Sequence, residues 1–177
     1  MHKWLRTGIS LLLALLVLPL AALAEATAPP ERNADNMPYV FDVFEGTTLD
    51  LNQYKGKAIW LNYFTGWCSY CMKEMPDIKK VFETYSQEEL AIVLIHVWNG
   101  EDADDSAAVV KQFGLEAMIM VEDMDMTLST IVGLSGYPTS IFIDKEGYLD
   151  TVTYTLAYDG MAEIVDGMGV AKAEAQP

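Results

Sequence analysis

Cysteine, histidine and positive charge are all scarce in this chain of 177 residues. The only cysteines are Cys68 and Cys71, and the only histidines are His2 and His96. A structural zinc site normally takes four Cys/His ligands. His2 lies at the extreme N-terminus and His96 sits inside the apolar run Val93-Leu94-Ile95-His96-Val97-Trp98, where it reads as a core histidine. No metal or other cofactor is expected. Lys and Arg number 11 against 26 Asp and Glu, a net charge of −15. Nucleic acid and anionic lipid require cationic patches, so neither is expected as a partner. A solvated acidic surface or a basic protein partner remains open. Long apolar runs are also lacking. Ile9 to Leu23 is interrupted by Ser10 and Pro19 and is short for a spanning helix, which needs about 20 residues.

That run has instead the layout of an export signal. Lys3 and Arg6 precede it, and Ala22-Leu23-Ala24 supplies the small-x-small pattern of a cleavage site. Residues 1–24 are therefore expected to be a signal peptide, with an uncleaved membrane anchor as the rival reading. Either way the remainder is exported, to the periplasm or another extracytoplasmic space. Loss of Lys3 and Arg6 deepens the net charge by two, to −17. Residues 25–37, rich in Ala, Pro and polar side chains, read as a flexible linker. Residues 38–170 are long enough for one domain with a full core, and 171–177 read as a disordered tail.

Within the domain, Tyr39 to Phe44 and Thr47 to Leu51 flank Glu45-Gly46 and predict a β-hairpin. Ala58 to Phe64 and Leu90 to Trp98 are almost wholly apolar, as strands buried on both faces are. Cys68 to about Tyr85 predicts a helix containing Pro76. Ala107 to Phe113, Met126 to Val132 and Tyr158 to Met168 predict three more helices. Ala117 to Val121 predicts a short strand, and Thr139 to Asp144 with Leu149 to Thr155 a terminal strand pair. Strand and helix alternate, so the fold class is α/β, with a mixed central sheet flanked by helices.

The segment Gly66-Trp67-Cys68-Ser69-Tyr70-Cys71-Met72-Lys73-Glu74-Met75-Pro76 holds both cysteines. A disulfide between residues three apart closes so small a loop that chain entropy contributes only about 2 kcal/mol. That argues against a pure staple. A redox pair fits the spacing better. At a helix start, free backbone N–H groups favour the Cys68 thiolate, and Cys71, one turn on, can attack a mixed disulfide formed at Cys68. Glu74 lies three residues beyond Cys71 on the same helix face. It reads either as a buried proton carrier for Cys71 or as a solvated acid beside lysines. Trp67 and Tyr70 offer apolar docking surface or plain packing.

Leu61-Asn62-Tyr63-Phe64-Thr65-Gly66-Trp67-Cys68, Cys71 to Pro76, Ile143-Asp144-Lys145-Glu146-Gly147 and the distant Gly136-Tyr137-Pro138-Thr139 together resemble the thioredoxin superfamily. More narrowly, they resemble its TlpA/ResA type of exported thiol–disulfide oxidoreductase, over roughly residues 38–165. The resemblance implies a three-layer thioredoxin-like fold with an N-terminal β-hairpin and a central βα insertion. It implies Cys68, Cys71, Glu74 and Pro138 as catalytic residues, with a cis peptide bond before Pro138. Trp67, Tyr70 and Tyr137 would bind substrate, Tyr137 by offering backbone groups to an extended segment. It implies a protein disulfide reductase acting on disulfide-containing proteins such as apocytochromes c or oxidised exported enzymes. A membrane electron donor is expected to re-reduce the pair, because the extracytoplasmic space offers no obvious soluble reductant, and a monomer is expected. Ser69-Tyr70 departs from the Pro-containing dipeptides common between such cysteines, which leaves an oxidase or isomerase as the alternative. Cys68 lacks the Pro-x-x-x-Thr-type approach of a peroxiredoxin-type peroxidase. Glu101 to Asp105 and Glu122 to Asp125 read as solvated acidic loops. The ten methionines read as core filler, with non-catalytic copper binding as the rival.

Overall fold

The structure, a computed structural model, describes residues 44–98 and 105–174. The expected signal segment, linker and first hairpin strand lie outside the described residues, apart from Phe44. Strand β1 (Ala58–Phe64) is the centre of a five-stranded sheet. It pairs in parallel with β2 (Leu90–Val97), which pairs in parallel with β3 (Ile119–Asp123). On its other side β1 pairs antiparallel with β4 (Thr139–Ile143), which carries the antiparallel edge strand β5 (Leu149–Thr153). The order is β3-β2-β1-β4-β5.

Every residue of β1 and β2 is buried, as their unbroken apolar sequences anticipate. Side chains alternate between two cores. Trp60, Phe64, Ile92, Leu94 and Phe142 face one layer with Met75, Ile78 and Val81 of helix α1 (Ser69–Thr84) and Met161 and Val165 of helix α4 (Tyr158–Gly167). Helix α2 (Ser106–Phe113) adds Val109 to this layer. Ile59, Leu61, Tyr63, Val93 and Ile95 face the opposite layer with Phe44, Leu49, Leu51 and Leu128 of the short helix α3 (Thr127–Ile131). The α/β class, the mixed sheet and the inserted α2–β3 unit all stand as expected.

Three expectations are corrected. Thr47 to Leu51 is not a hairpin strand. Thr47 Oγ1 donates to Phe44 O and accepts from Leu49 N, and Asp50 Oδ1 accepts from Asn52 N, opening a 3₁₀ turn over Leu51–Tyr54. Local side-chain bonds of this kind take up the backbone groups a strand would need. Residues 171–174 are not a loose tail. Ser86 N donates to Ala171 O at 2.9 Å, Ala173 N donates to Thr84 O at 2.9 Å, and Lys172 Nζ donates to Asp166 and Tyr85. The acidic run 122–125 is only partly solvated. Asp123 is buried, and its carboxylate accepts from Leu128 N at 3.0 Å and Ser129 N at 2.8 Å, capping α3 from the end of β3.

Asp123→Ala should strand these two buried N–H groups and lower stability by about 2–3 kcal/mol. Urea unfolding checks this; a loss near zero would show that α3 does not depend on the carboxylate.

Candidate active site

Strand β1 delivers the chain directly into the cysteine segment. After Phe64, Thr65 O accepts from Cys68 N at 3.2 Å, and α1 begins at Ser69 with Cys68 as its N-cap. Cys68 Sγ accepts the Cys71 N–H at 3.2 Å, so the sulfur occupies the place a capping oxygen usually takes. Cys68 and Cys71 form a disulfide with a Cα–Cα distance of 5.3 Å. Cys71 is fully covered, whereas Cys68 keeps 5 % of its surface accessible. Both cysteines are thus buried in the oxidised pair, and Cys68, at the helix N-terminus, is the less covered of the two.

The β1–β4 register explains how a residue seventy positions away joins this site. Tyr63 lies opposite Thr139, so the end of β1 and the start of β4 are neighbours. The peptide bond Tyr137–Pro138 is cis, as the resemblance implies, and Pro138 is buried. Tyr137 packs against the core layer that contains both cysteines and meets Trp67 edge-to-face at 6.0 Å between ring centroids. Trp67 and Tyr70 are 49 % and 59 % exposed, so they stand out beside the buried sulfurs. Lys73 Nζ lies 5.2 Å above the Tyr70 ring. The structure thus assembles Cys68, Cys71, Trp67, Tyr137 and Pro138 at one end of the sheet.

Glu74 is buried, which removes the reading of a solvated helix acid. It shares the inward face of α1 with Cys71. Its Oε1 accepts from Asn62 Nδ2 at 2.8 Å, and its Oε2 accepts from Leu156 N at 3.3 Å. Burial pushes its pKa up from 4.5 to about 7, against the two donors, Asn62 and Leu156, with a further upward push from Asp77. A carboxyl poised near neutrality, one helical turn from Cys71, can accept or give a proton near pH 7.

The sequence reading missed the surroundings of Glu74. Asn62 Nδ2 also donates to Ser140 Oγ at 3.0 Å, and Trp60 Nε1 donates to the same oxygen at 2.9 Å. The available signal was strand periodicity, which puts Asn62 on the same face as Trp60 and Phe64. His96 is buried, with Nδ1 2.6 Å from Glu122 Oε2 and its ring 5.3 Å from that of Phe64, in keeping with a core histidine. Among the described residues no cluster of three or more His, Cys, Asp or Glu is arranged to hold a metal ion.

The raised Glu74 pKa carries a stability signature. The folded protein keeps this proton up to about pH 7, while the unfolded chain loses it near 4.5. Stability from this group is complete below 4.5 and is lost as pH rises through 7, by about 3 kcal/mol in full. Glu74→Gln, neutral throughout, should therefore gain on the wild type between about pH 5 and about pH 8, by at most about 3 kcal/mol. Urea melts at the two pH values check this; an unchanged gap would contradict it.

Comparison with known proteins places this geometry among relatives. The thiol-disulfide oxidoreductase ResA of Bacillus thuringiensis (strain Al Hakam) is 31% identical over 113 residues, covering 62% of this chain and 61% of ResA. The chain thus spans about three fifths of the length of that curated relative. A thioredoxin family thiol:disulfide interchange protein from Chlorobium tepidum superposes with a TM-score of 0.60 at 24% identity, covering 75% of this chain and 91% of its own. A secreted Mycobacterium tuberculosis disulfide oxidoreductase homologous to E. coli DsbE gives 0.56 at 20% identity, covering 67% and 87%. These two likenesses establish the thioredoxin-like fold. The family model described as AhpC/TSA matches residues 34–152, well over half of the sequence, and the chain belongs to the AhpC/TSA family.

Proposed function

We propose that this protein is an exported thiol–disulfide oxidoreductase that reduces disulfides in protein substrates. The observation that carries the reading is the asymmetric pair itself. Cys68 is the N-cap of α1 and keeps a little of its surface uncovered, and Cys71 is fully covered on the helix face that it shares with the buried Glu74. In the reduced protein, the Cys68 thiolate attacks one sulfur of a substrate disulfide, forming a mixed disulfide and releasing one substrate thiolate. Cys71 then attacks Cys68 Sγ, which closes the Cys68–Cys71 disulfide and releases the second substrate thiolate. Two electrons pass from the protein to the substrate. Glu74 takes the Cys71 proton as that thiol becomes the attacking thiolate.

Trp67, Tyr70 and Tyr137 form the surface around Cys68 on which an unfolded or extended protein segment docks. Pro138 holds the Tyr137 backbone beside the sulfurs. The name of the ResA relative supports thiol–disulfide exchange, and the N-terminal segment supports work outside the cytoplasm. A membrane thiol donor returns the pair to its reduced form, and apocytochromes c or oxidised exported enzymes fit as substrates. No described helix is long and apolar enough to cross a membrane. The protein acts as a monomer.

The test is covalent trapping. Cys71→Ser in the native host should leave Cys68 joined to partner proteins through disulfides that reductant releases and mass spectrometry identifies. Cys68→Ser should trap none. Equal trapping by both variants, or by neither, would overturn the assignment of attacking and resolving sulfurs.

A further inference from the structure

The face of β1 that looks onto α1 reads Ala58, Trp60, Asn62, Phe64, and all four are fully buried. An amide in an apolar row is costly unless its polar atoms are paired. Asn62 Nδ2 is paired twice, to Glu74 Oε1 at 2.8 Å and to Ser140 Oγ at 3.0 Å. Asn62 Oδ1 is buried with no partner. A leucine would fill this position without an orphaned carbonyl. The site thus keeps an unpaired acceptor in order to aim two N–H donors.

Ser140 makes that aim rigid. It sits directly opposite Asn62 in the β1–β4 register, and its hydroxyl oxygen receives both Asn62 Nδ2 and Trp60 Nε1. Turning the amide over would set its carbonyl oxygen against the Glu74 carboxylate and leave both amide protons without acceptors. On the far side, Leu156 N covers Glu74 Oε2. Both carboxylate oxygens therefore face donors, and these favour the ionised form.

We propose that Asn62, held by Ser140, is a positioning residue that sets the protonation balance of Glu74 beside Cys71. This rests on the reading of Glu74 as the proton carrier of the cysteine pair. The groups facing Glu74 are few among the described residues. Asp77 acts from its own helix, and its Oδ2 accepts from Tyr158 N. β1 and β4 present the neutral Asn62 and Ser140, and the segment before α4 presents the Leu156 N–H. Burial and Asp77 favour the neutral acid, and Asn62 is the stronger of the two donors that oppose them.

The experiment follows the Glu74 carboxyl directly in the full-length oxidised protein, by carbon-13 NMR of labelled glutamate, with Glu74→Gln assigning the signal. Asn62→Leu should move the titration midpoint up by about one pH unit or more, which lowers the carboxylate-to-acid ratio roughly tenfold at any given pH. Ser140→Ala should move it in the same direction by less, and Ser140→Thr, which keeps the hydroxyl, should stay close to the wild type. A folded Asn62→Leu whose midpoint stays within about 0.3 of the wild type would overturn the proposal. Should that variant not fold, an unmoved midpoint in Ser140→Ala overturns it equally. Because no substrate is present, the outcome is independent of trapping. A shifted midpoint in a protein that traps no partner would leave the positioning role standing and remove the exchange reaction.

Discussion

Burial of strand β1 on both faces is the constraint on which the other features depend. Its seven residues are all inaccessible, and it is hydrogen-bonded on both sides, to β2 and to β4. A strand so placed has no freedom to slip, because a shift of one residue would exchange the contents of the two cores. The residues that leave it are therefore fixed in position. Phe64 fills the layer under α1, and three residues after Thr65 the chain reaches Cys68 at the mouth of that helix. The antiparallel partner brings Tyr137-Pro138 to the same end. Two segments distant in sequence meet, Trp67 against Tyr137, because both adjoin the same end of one doubly buried strand.

The same strand carries the main polar element within an apolar layer. Trp60, Ser140, Asn62 and Glu74 are linked in a continuous run of hydrogen bonds, with Leu156 N at its far end. Taking Glu74 out of water raises its proton affinity strongly, and the donors lower it again, so that the carboxyl ends near neutrality. Neither effect alone suits proton transfer with a thiol. Burial without donors would fix the neutral acid, and donors without burial would fix the carboxylate. This balance lowers stability at high pH, a cost that a solvated glutamate at the same position would not impose.

Much of this was legible in the residues. Runs such as AIWLNYF and LAIVLIHV announce doubly buried strands, and the cysteine spacing with the distant Tyr137-Pro138 announces the site. What was not legible depends on long-range pairing or on local competition. Ser140 and Asn62 are 78 positions apart, and only the register makes them neighbours. Asp123 looked like one more acid in an acidic stretch, yet its position at the end of β3 under α3 makes it a buried cap. The second hairpin strand assigned to Thr47–Leu51 failed because a threonine hydroxyl and an aspartate captured the backbone groups locally. Sequence showed Glu74 on the Cys71 face of a helix; only the packing of β1 and the segment around Leu156 made it a buried acid.

The most direct test of the account is the reduction potential of the Cys68–Cys71 pair, measured by equilibrating the full-length protein with thiol–disulfide buffers. A protein that donates electrons to substrate disulfides should have a potential near or below about −270 mV. A value near about −120 mV, that of a strong oxidant, would contradict the account and reverse the direction of electron flow.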